Sequence, residues 1–303
     1  MNKICVLGSI NMDMVSRVNK HPKVGETILA VSFEKIPGGK GANQAVAAKR
    51  CGADVMMIAK TGSDDNGRIL KGKLEDEGIN TDFVFEDSSE ATGMAMITID
   101  EDGDNSIVVV SGSNMTITED EINSAEDIIK KNDIVIAQFE TSTDITTKAF
   151  EIAKKSGIVT ILNPAPAKDI DNELLSVTDI IVPNETEAAA LTGVKVETME
   201  DAEKAAEKFM KKGVKVVIIT LGSKGAAVIG EGFSFLAKAY KVQAVDTTAA
   251  GDTFIGAFAS RLDVKNINEE NLKAAAEFAN KASSIAVQRK GAQPSIPYLK
   301  EIV

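Results

Sequence analysis

The run Val245-Asp246-Thr247-Thr248-Ala249-Ala250-Gly251-Asp252-Thr253-Phe254-Ile255-Gly256 decides how this chain is to be read. An extended stretch ends at Val245, small residues follow, and an apolar helical pattern opens at Phe254 and continues through Ala257, Phe258 and Leu262. A strand that stops at a Gly-containing turn and re-enters as a helix leaves backbone N–H groups unpaired and pointing one way, with the helix dipole behind them. Such a turn is a site for an anion. Two alanines and a glycine ahead of Asp252 leave the backbone bare, so a ligand can approach closely. Asp252 itself falls in the first helical turn. There it is either a cap or a general base that takes a proton from a hydroxyl while the N–H groups hold the phosphoryl group under attack.

A second informative stretch lies far upstream, Gly38-Gly39-Lys40-Gly41-Ala42-Asn43-Gln44-Ala45, and it opens a helix with small residues on one face (Ala42, Ala45, Ala47, Ala48). Its glycines let the backbone come against a ligand, and Asn43 can offer an amide to a hydroxyl. The dinucleotide-binding fingerprint fails here, because Gln44 stands where its third glycine belongs. Gly62 to Ile69 approaches a Walker loop but lacks both its Lys and its Ser/Thr, and reads as a turn before a helix over about 66–77.

Together, Asp246–Phe254 and Gly38–Ala45 resemble the two signatures of the PfkB family of ribokinase-type carbohydrate kinases, in that family's order. The resemblance spans the chain from Gly8 to Pro297. It implies an α/β fold, a three-layer α/β/α arrangement around a mostly parallel sheet. Residues 1–303 would form one such domain, with lid β-segments at about 12–36 and 91–110 inserted in it. It also implies an activity: transfer of the ATP γ-phosphoryl group to the primary hydroxyl of D-ribose, giving ribose 5-phosphate. Asp252 would be the base, with the Ala249, Ala250, Gly251 and Asp252 N–H groups as the anion hole.

The bulk composition is compatible with that expectation. With 303 residues, 44% of them hydrophobic, the chain can bury one large core or two modest ones. Lys and Arg number 34 against 45 Asp and Glu, and a net charge of −11 argues against a nucleic-acid surface or an anionic membrane as partner. ATP is not excluded, since a local nest of N–H groups binds phosphate on an acidic protein. The apolar runs are too short to span a membrane, and Met1 to Gly8 reads as a first strand over 2–8, not a signal peptide. A cytoplasmic location is expected. Cys5 and Cys51 are expected as buried free thiols, and with a single histidine, His21, they offer no zinc constellation. The same scarcity leaves no Ser-His-Asp or Cys-His machinery. Carboxylates must carry the acid–base work.

The remaining candidates come in chain order. Asn11 and Asp13 follow the first strand, where open α/β sheets bind ligands. They are either a loop with an Asx turn or, by the resemblance, the pair that holds sugar hydroxyls, together with Gly39, Lys40, Gly41, Asn43 and Glu140. Residues 14–36, 91–99 and 105–110 alternate, with a hairpin turn at Asp100 to Asp104, as expected of a small separate sheet. In the family that sheet covers the sugar and forms a dimer contact, so a homodimer through the lid is expected, and a lid would exclude water from phosphoryl transfer.

Strands near 133–138, 157–162, 178–182 and 214–219 alternate with helices near 119–130, 144–155, 184–192 and 199–212, which implies a mostly parallel sheet covered on both faces. Asn184 and Glu187 sit three apart at a helix start. They are a capping box, the family's position for Mg2+ beside the ATP phosphates, or both. The turn Thr220-Leu221-Gly222-Ser223-Lys224-Gly225 is either a hairpin or, by the resemblance, a contact for the nucleotide, with Asn280 on the final helix (about 270–288) at the adenine side. The tail from Arg289 to Ser295 resembles a monovalent-cation loop. There oxygens of Asp246, Thr248, Ala286, Arg289, Gly291 and Ser295 would surround K+ or a similar cation, mostly through backbone carbonyls.

Other readings are another kinase of this fold, taking deoxyribose, fructose or adenosine, a dinucleotide-dependent dehydrogenase, and a catalytically silent sugar-binding protein. The dehydrogenase would need the missing glycine. The silent protein would be expected to lack Asp252 or the Asn184/Glu187 pair, and all three are present.

Overall fold

The computed structural model describes residues Met1–Val303. Strand β1 (Lys3–Leu7) is apolar on both faces, and Ile4 to Leu7 are fully buried. Such a strand belongs in the middle of a parallel sheet with helices above and below. It pairs in parallel with β4 (Asp54–Gly62) on one side and β8 (Ile134–Gln138) on the other.

In chain order the other strands are β2 (Asn11–Arg17), β3 (Ser32–Gly38), β5 (Asn80–Asp87), β6 (Gly93–Ile99), β7 (Asn105–Val110), β9 (Val159–Asn163), β10 (Ile180–Ile181), β11 (Val216–Thr220), β12 (Gly225–Gly230) and β13 (Phe233–Lys238). The main sheet runs β13-β12-β11-β10-β9-β8-β1-β4-β5, and a small sheet runs β3-β2-β6-β7. One helical layer, Lys40–Arg50, Asp65–Asp76, Ala250–Arg261 and Glu269–Ala286, covers one face. Thr143–Lys155, Met199–Met210 and shorter helices cover the other. The three-layer α/β/α expectation and the small β-sheet are both observed.

The strand order reverses beside β1, because the chain builds β4 and β5 outward on one side and β8 to β11 on the other. Ligands of open α/β sheets bind outside the carboxyl ends of the strands at such a switch point. Here those ends deliver Gly8 and Ser9 from β1, and Phe139 and Glu140 from β8. The small sheet rises from the same edge, since β2 starts within a few residues of the end of β1. Asn11 and Asp13, two apart in β2, lie on one face of it.

Several local expectations change. The run before Val245 pairs with no strand; instead the N–H groups of Val245 and Asp246 donate to the Val287 carbonyl at 2.7 and 3.1 Å. Asn11 and Asp13 are in a strand, not a loop. The 119–130 segment is two short helices, Glu119–Ser124 and Glu126–Ile129, because the Ser124 hydroxyl takes the Glu121 carbonyl at 2.7 Å and the chain tightens at Ala125. The strand expected over 178–182 shrinks to Ile180–Ile181. Beyond β11 the sheet turns antiparallel through β12 and β13, the hairpin alternative for Thr220–Gly225.

Candidate active site

The Ala250–Arg261 helix starts without a side-chain cap. Its N-cap, Ala249, has φ 58°, the only non-glycine residue in the left-handed region. That conformation costs about 1–2 kcal/mol for an L-residue with a Cβ, and strain of this kind collects where backbone groups are aimed at ligands. Of the N–H groups expected in the anion hole, that of Ala250 donates to the Thr247 carbonyl at 3.1 Å and is not free. Those of Ala249, Gly251 and Asp252 have no acceptor within the chain. Gly251 is exposed, with no protein atom near the place a Cβ would occupy. The hole therefore consists of fewer N–H groups than the sequence suggests, and they open onto free space.

Asp252 does not cap its own helix. Its buried carboxylate turns to the other signature, accepting from Asn43 Nδ2 at 3.0 Å on Oδ2 and from Gln44 Nε2 at 2.9 Å on Oδ1. The two helices meet closely enough for this because their facing residues are small: Gly256 abuts Ala47, Ala48 and the Gln44 carbonyl. The alanine stripe of the sequence is thus a packing face, and Gln44 is a site residue that sequence reasoning passed over. Its place in the Gly-Gly-Lys-Gly-Ala-Asn-Gln run was the only available signal.

Around the carboxyl ends of β1 and β8 the residues expected to hold a sugar converge. Glu140 Oε2 accepts from Ser9 Oγ at 2.5 Å, from the Lys40 backbone N–H at 3.2 Å and from Asn11 Nδ2 at 3.3 Å. Ser9 Oγ in turn accepts from the Gly41 N–H at 3.3 Å. Gly39, at φ 90°, lies against the backbone of Ser9 and Asn11, where a Cβ would meet Asn11 N at 2.7 Å. Ser9 and Asn114 are further residues the sequence did not single out; Asn114 Nδ2 donates to Asn11 Oδ1 at 2.7 Å and orients that amide. Asp13 faces Glu140 and Asp252, and its carboxyl is pushed up to about 7 by desolvation and then by those two charges. The Lys40 ammonium is partly desolvated, yet Asp252, Glu140 and Glu187 around it raise its pKa.

A cavity of about 200 Å3 joins Lys40, Asp252 and Gly251 to Asn163, Asn184 and Glu187. Asn184 and Glu187 form a complete capping box: Asn184 Oδ1 accepts from the Glu187 N–H, and Glu187 Oε2 from the Asn184 N–H, both at 2.8 Å. The carboxyl of Glu187 still reaches the cavity, where burial and Asp252 push its pKa up against the lowering effect of Asn184 and Lys40. Only Oε2 of Glu187 is taken by the cap, so a partly buried carboxylate opening onto a cavity keeps its second oxygen for a hydrated divalent cation.

An adjoining cavity of about 370 Å3 is lined by Asn184, Thr220, Gly222, Gly225, Gly251 and Asn280, together with Phe254 and Ser283. Ser223 and Lys224 are exposed and are not among its lining residues, but the Lys224 ammonium lies 3.8 Å from Glu185, which is. Asn280 is buried, and its Nδ2 already donates to the carbonyls of Ala237 and Lys238 at 2.8 and 3.3 Å.

Near the tail, Asp246 joins two loops. Its carboxylate accepts from the N–H groups of Thr248 and Gly291, both at 2.9 Å; burial raises its pKa, but the Thr248 side chain, these two N–H groups and the charge of Arg17 together hold it low. The Ala286 carbonyl accepts the Arg289 N–H at 3.0 Å, while the Arg289 guanidinium pairs with Glu301. Ser295 is buried, with its hydroxyl on the Ala292 carbonyl at 2.7 Å. Arg50, at the end of the Lys40–Arg50 helix, steadies this tail by donating to the carbonyls of Gln293 and Ile296 at 2.7 and 2.8 Å.

A carboxylate beside unpaired helix-terminal N–H groups, flanked by a nucleotide-sized cavity and by a cluster suited to hydroxyls, defines an α/β sugar kinase. A family model described as pfkB family carbohydrate kinase matches residues 1–299. The chain belongs to that family. It is 46% identical over 302 residues to the ribokinase of Staphylococcus aureus, covering 99% of this chain and 98% of that protein. The solved structure of Arabidopsis thaliana ribokinase complexed with ribose and ATP is 36% identical, with a TM-score of 0.91 over 99% of this chain and 97% of that one. An E. coli protein solved with ATP and Mg2+ is 25% identical, with a TM-score of 0.81 over 100% and 98% of the two chains.

Proposed function

We infer that this chain transfers the γ-phosphoryl group of ATP to the 5-hydroxyl of D-ribose. The observation that carries the reading is Asp252: a buried carboxylate, free of any capping role, placed by Asn43 and Gln44 at the mouth of a helix whose Gly251 and Asp252 N–H groups have no partner.

Asn11, Asp13, Gly39, Lys40, Gly41, Asn43 and Glu140 would surround the sugar, with its primary hydroxyl toward Asp252. The Ala249, Gly251 and Asp252 N–H groups, with the helix dipole behind them, would hold the phosphoryl oxygens, and Lys40 adds a positive charge between the carboxylates. An alcohol is far less acidic than a carboxylic acid, so Asp252 accepts the proton late, and most of the catalysis is positioning and charge stabilisation. Thr220, Gly222, Gly225 and Asn280 would line the nucleotide. Glu187 with Asn184 would hold Mg2+ through water, and the ion would offset negative charge on the ATP phosphates. K+ or a similar monovalent cation would sit between the 246–248 loop and the 286–295 tail, where Asp246 supplies the charge.

The small sheet is proposed as a lid and as the contact of a homodimer. Its edge strand β7 leaves Ile107, Val108, Val109 and Val110 exposed in succession, and such an edge invites pairing. A single species at monomer mass in sedimentation velocity across micromolar concentrations would count against the dimer. A cytoplasmic location is supported by two buried free thiols; in addition, no helix is long and apolar enough to cross a membrane.

The test is ATP turnover on D-ribose, 2-deoxy-D-ribose, D-fructose and adenosine with Mg2+ and K+ present. The expected result is a kcat/KM for ribose well above the rest. Preference for another acceptor keeps the chemistry and changes the sugar, and no turnover on any of them overturns the reading.

A further inference from the structure

We propose that Gln44 is a positioning residue for Asp252, holding its carboxylate so that Oδ2, and not Oδ1, receives the proton of the acceptor hydroxyl. The proposal rests on Asp252 acting as the base.

Three side-chain bonds determine how the Gln44 amide points. Its Oε1 accepts from Gln138 Nε2 at 2.7 Å, and its Nε2 donates both to Asp252 Oδ1 at 2.9 Å and to Asn163 Oδ1 at 3.1 Å. Asn163 is itself anchored, with Nδ2 on the Val182 carbonyl at 3.0 Å. Turning the Gln44 amide over would set its oxygen against two acceptors and its nitrogen against a donor, breaking all three bonds. Gln44 and Gln138 are fully buried, so no water replaces a lost partner cheaply. Gln138 stands at the carboxyl end of β8 and Asn163 at that of β9, which ties the orientation to the central sheet.

Asn43, on the other oxygen, is held differently. Its Nδ2 meets Asp252 Oδ2, but its own Oδ1 is buried with no partner. One side of the Asp252 carboxylate is thus secured by a fully bonded amide, and the other by an amide with an acceptor to spare. One sugar hydroxyl can donate to the unpartnered Asn43 Oδ1 while the acceptor hydroxyl donates its own proton to Asp252 Oδ2 in competition with Asn43 Nδ2. Torsion about the terminal bond of an aspartate is broad, and reacting groups must hold their geometry closely for transfer to be efficient. The Gln44 bond to Oδ1 supplies that restraint.

A double-mutant cycle tests the assignment. Gln44→Met keeps the shape and removes the donor. It is expected to lower kcat by about 100-fold, the scale of a misplaced reacting group, with KM for the sugar changed by less than about threefold. In the Asp252→Asn background the same substitution is expected to change kcat by less than about twofold, because Gln44 then has no base to position. Equal losses in both backgrounds, or a Gln44→Met enzyme with unimpaired kcat, overturn the proposal and leave the base intact. An Asp252→Asn enzyme with normal kcat overturns both at once. If Gln44→Met does not fold, Gln138→Met is carried through the same cycle; it removes one of the three bonds that orient the Gln44 amide and leaves its donor in place, so a smaller loss of kcat, again confined to the Asp252 background, is expected, and equal losses in both backgrounds overturn the proposal.

Discussion

The side-chain amide of Asn43 donates to Asp252 Oδ2 at 3.0 Å across a sequence separation of 209 residues. The bond joins the two glycine-bearing stretches into one site and leaves Asp252 no part in capping its helix. Replacing Asp252 by Asn keeps the shape and removes the base. The expected loss in kcat is at least about 100-fold, the range for a positioned general base, with thermal unfolding little changed. Steady-state kinetics on D-ribose and ATP check this; activity within about threefold of the parent would remove Asp252 from the role.

Gly251 offers a cleaner separation of stability from function. A methyl group there meets no protein atom, and alanine is better than glycine within a helix by about 0.5–1 kcal/mol. Gly251→Ala is therefore expected to unfold at slightly higher denaturant. It should also lose activity by about tenfold or more, as the methyl intrudes on the bound phosphoryl group. Loss of stability and activity together would mean that the glycine serves the fold.

Gly256 behaves in the opposite sense. A Cβ on it would lie 2.6 Å from Ala47 Cβ, from Ala48 N and from the Gln44 carbonyl oxygen. Gly256→Ala should force the two helices apart at a cost of about 1–3 kcal/mol. Because Gln44 moves with its helix, kcat should fall as well. Urea unfolding and turnover measured on the same preparation report the two effects.

Asp13 links stability to pH. Its carboxyl is pushed up from the ordinary range to about 7, by desolvation and then by Glu140 and Asp252. Between the unfolded and folded pKa the native state holds more protons than the unfolded chain, so this residue's contribution to stability falls as pH rises. The contribution is fully present below about pH 4 and lost through about pH 7. Thermal melts of the parent and Asp13→Asn between pH 5 and 8 should show a shallower decline in the variant. Parallel profiles would dissociate Asp13 from the effect.

The cation proposal is tested by exchanging K+ for Na+ at constant ionic strength, with a fall in kcat or a rise in KM expected. Asp246→Ala should lower the activity in K+ and abolish the difference between the salts, since its carboxylate both binds the Gly291 N–H and supplies the local charge. Unchanged kinetics in Na+ would count against a cation at this loop pair.

Much of this protein is determined by short stretches of sequence. The continuous apolar run of β1, the alternation of strands and helices, the helix start at Ala250 and the capping box at Asn184 each depend on neighbours a few residues apart. There dihedral preference, periodicity and capping act. Asp252, Asn184 and Glu187 could be singled out for the same reason.

Tertiary structure alone decided the partners. Gln44 meets Asp252 because Gly256 lets two distant helices close on each other, and Ser9 meets Glu140 because β1 and β8 end side by side. No local rule specifies a hydrogen bond between residues some two hundred positions apart. It follows from which faces pack, and how closely small residues allow them to pack.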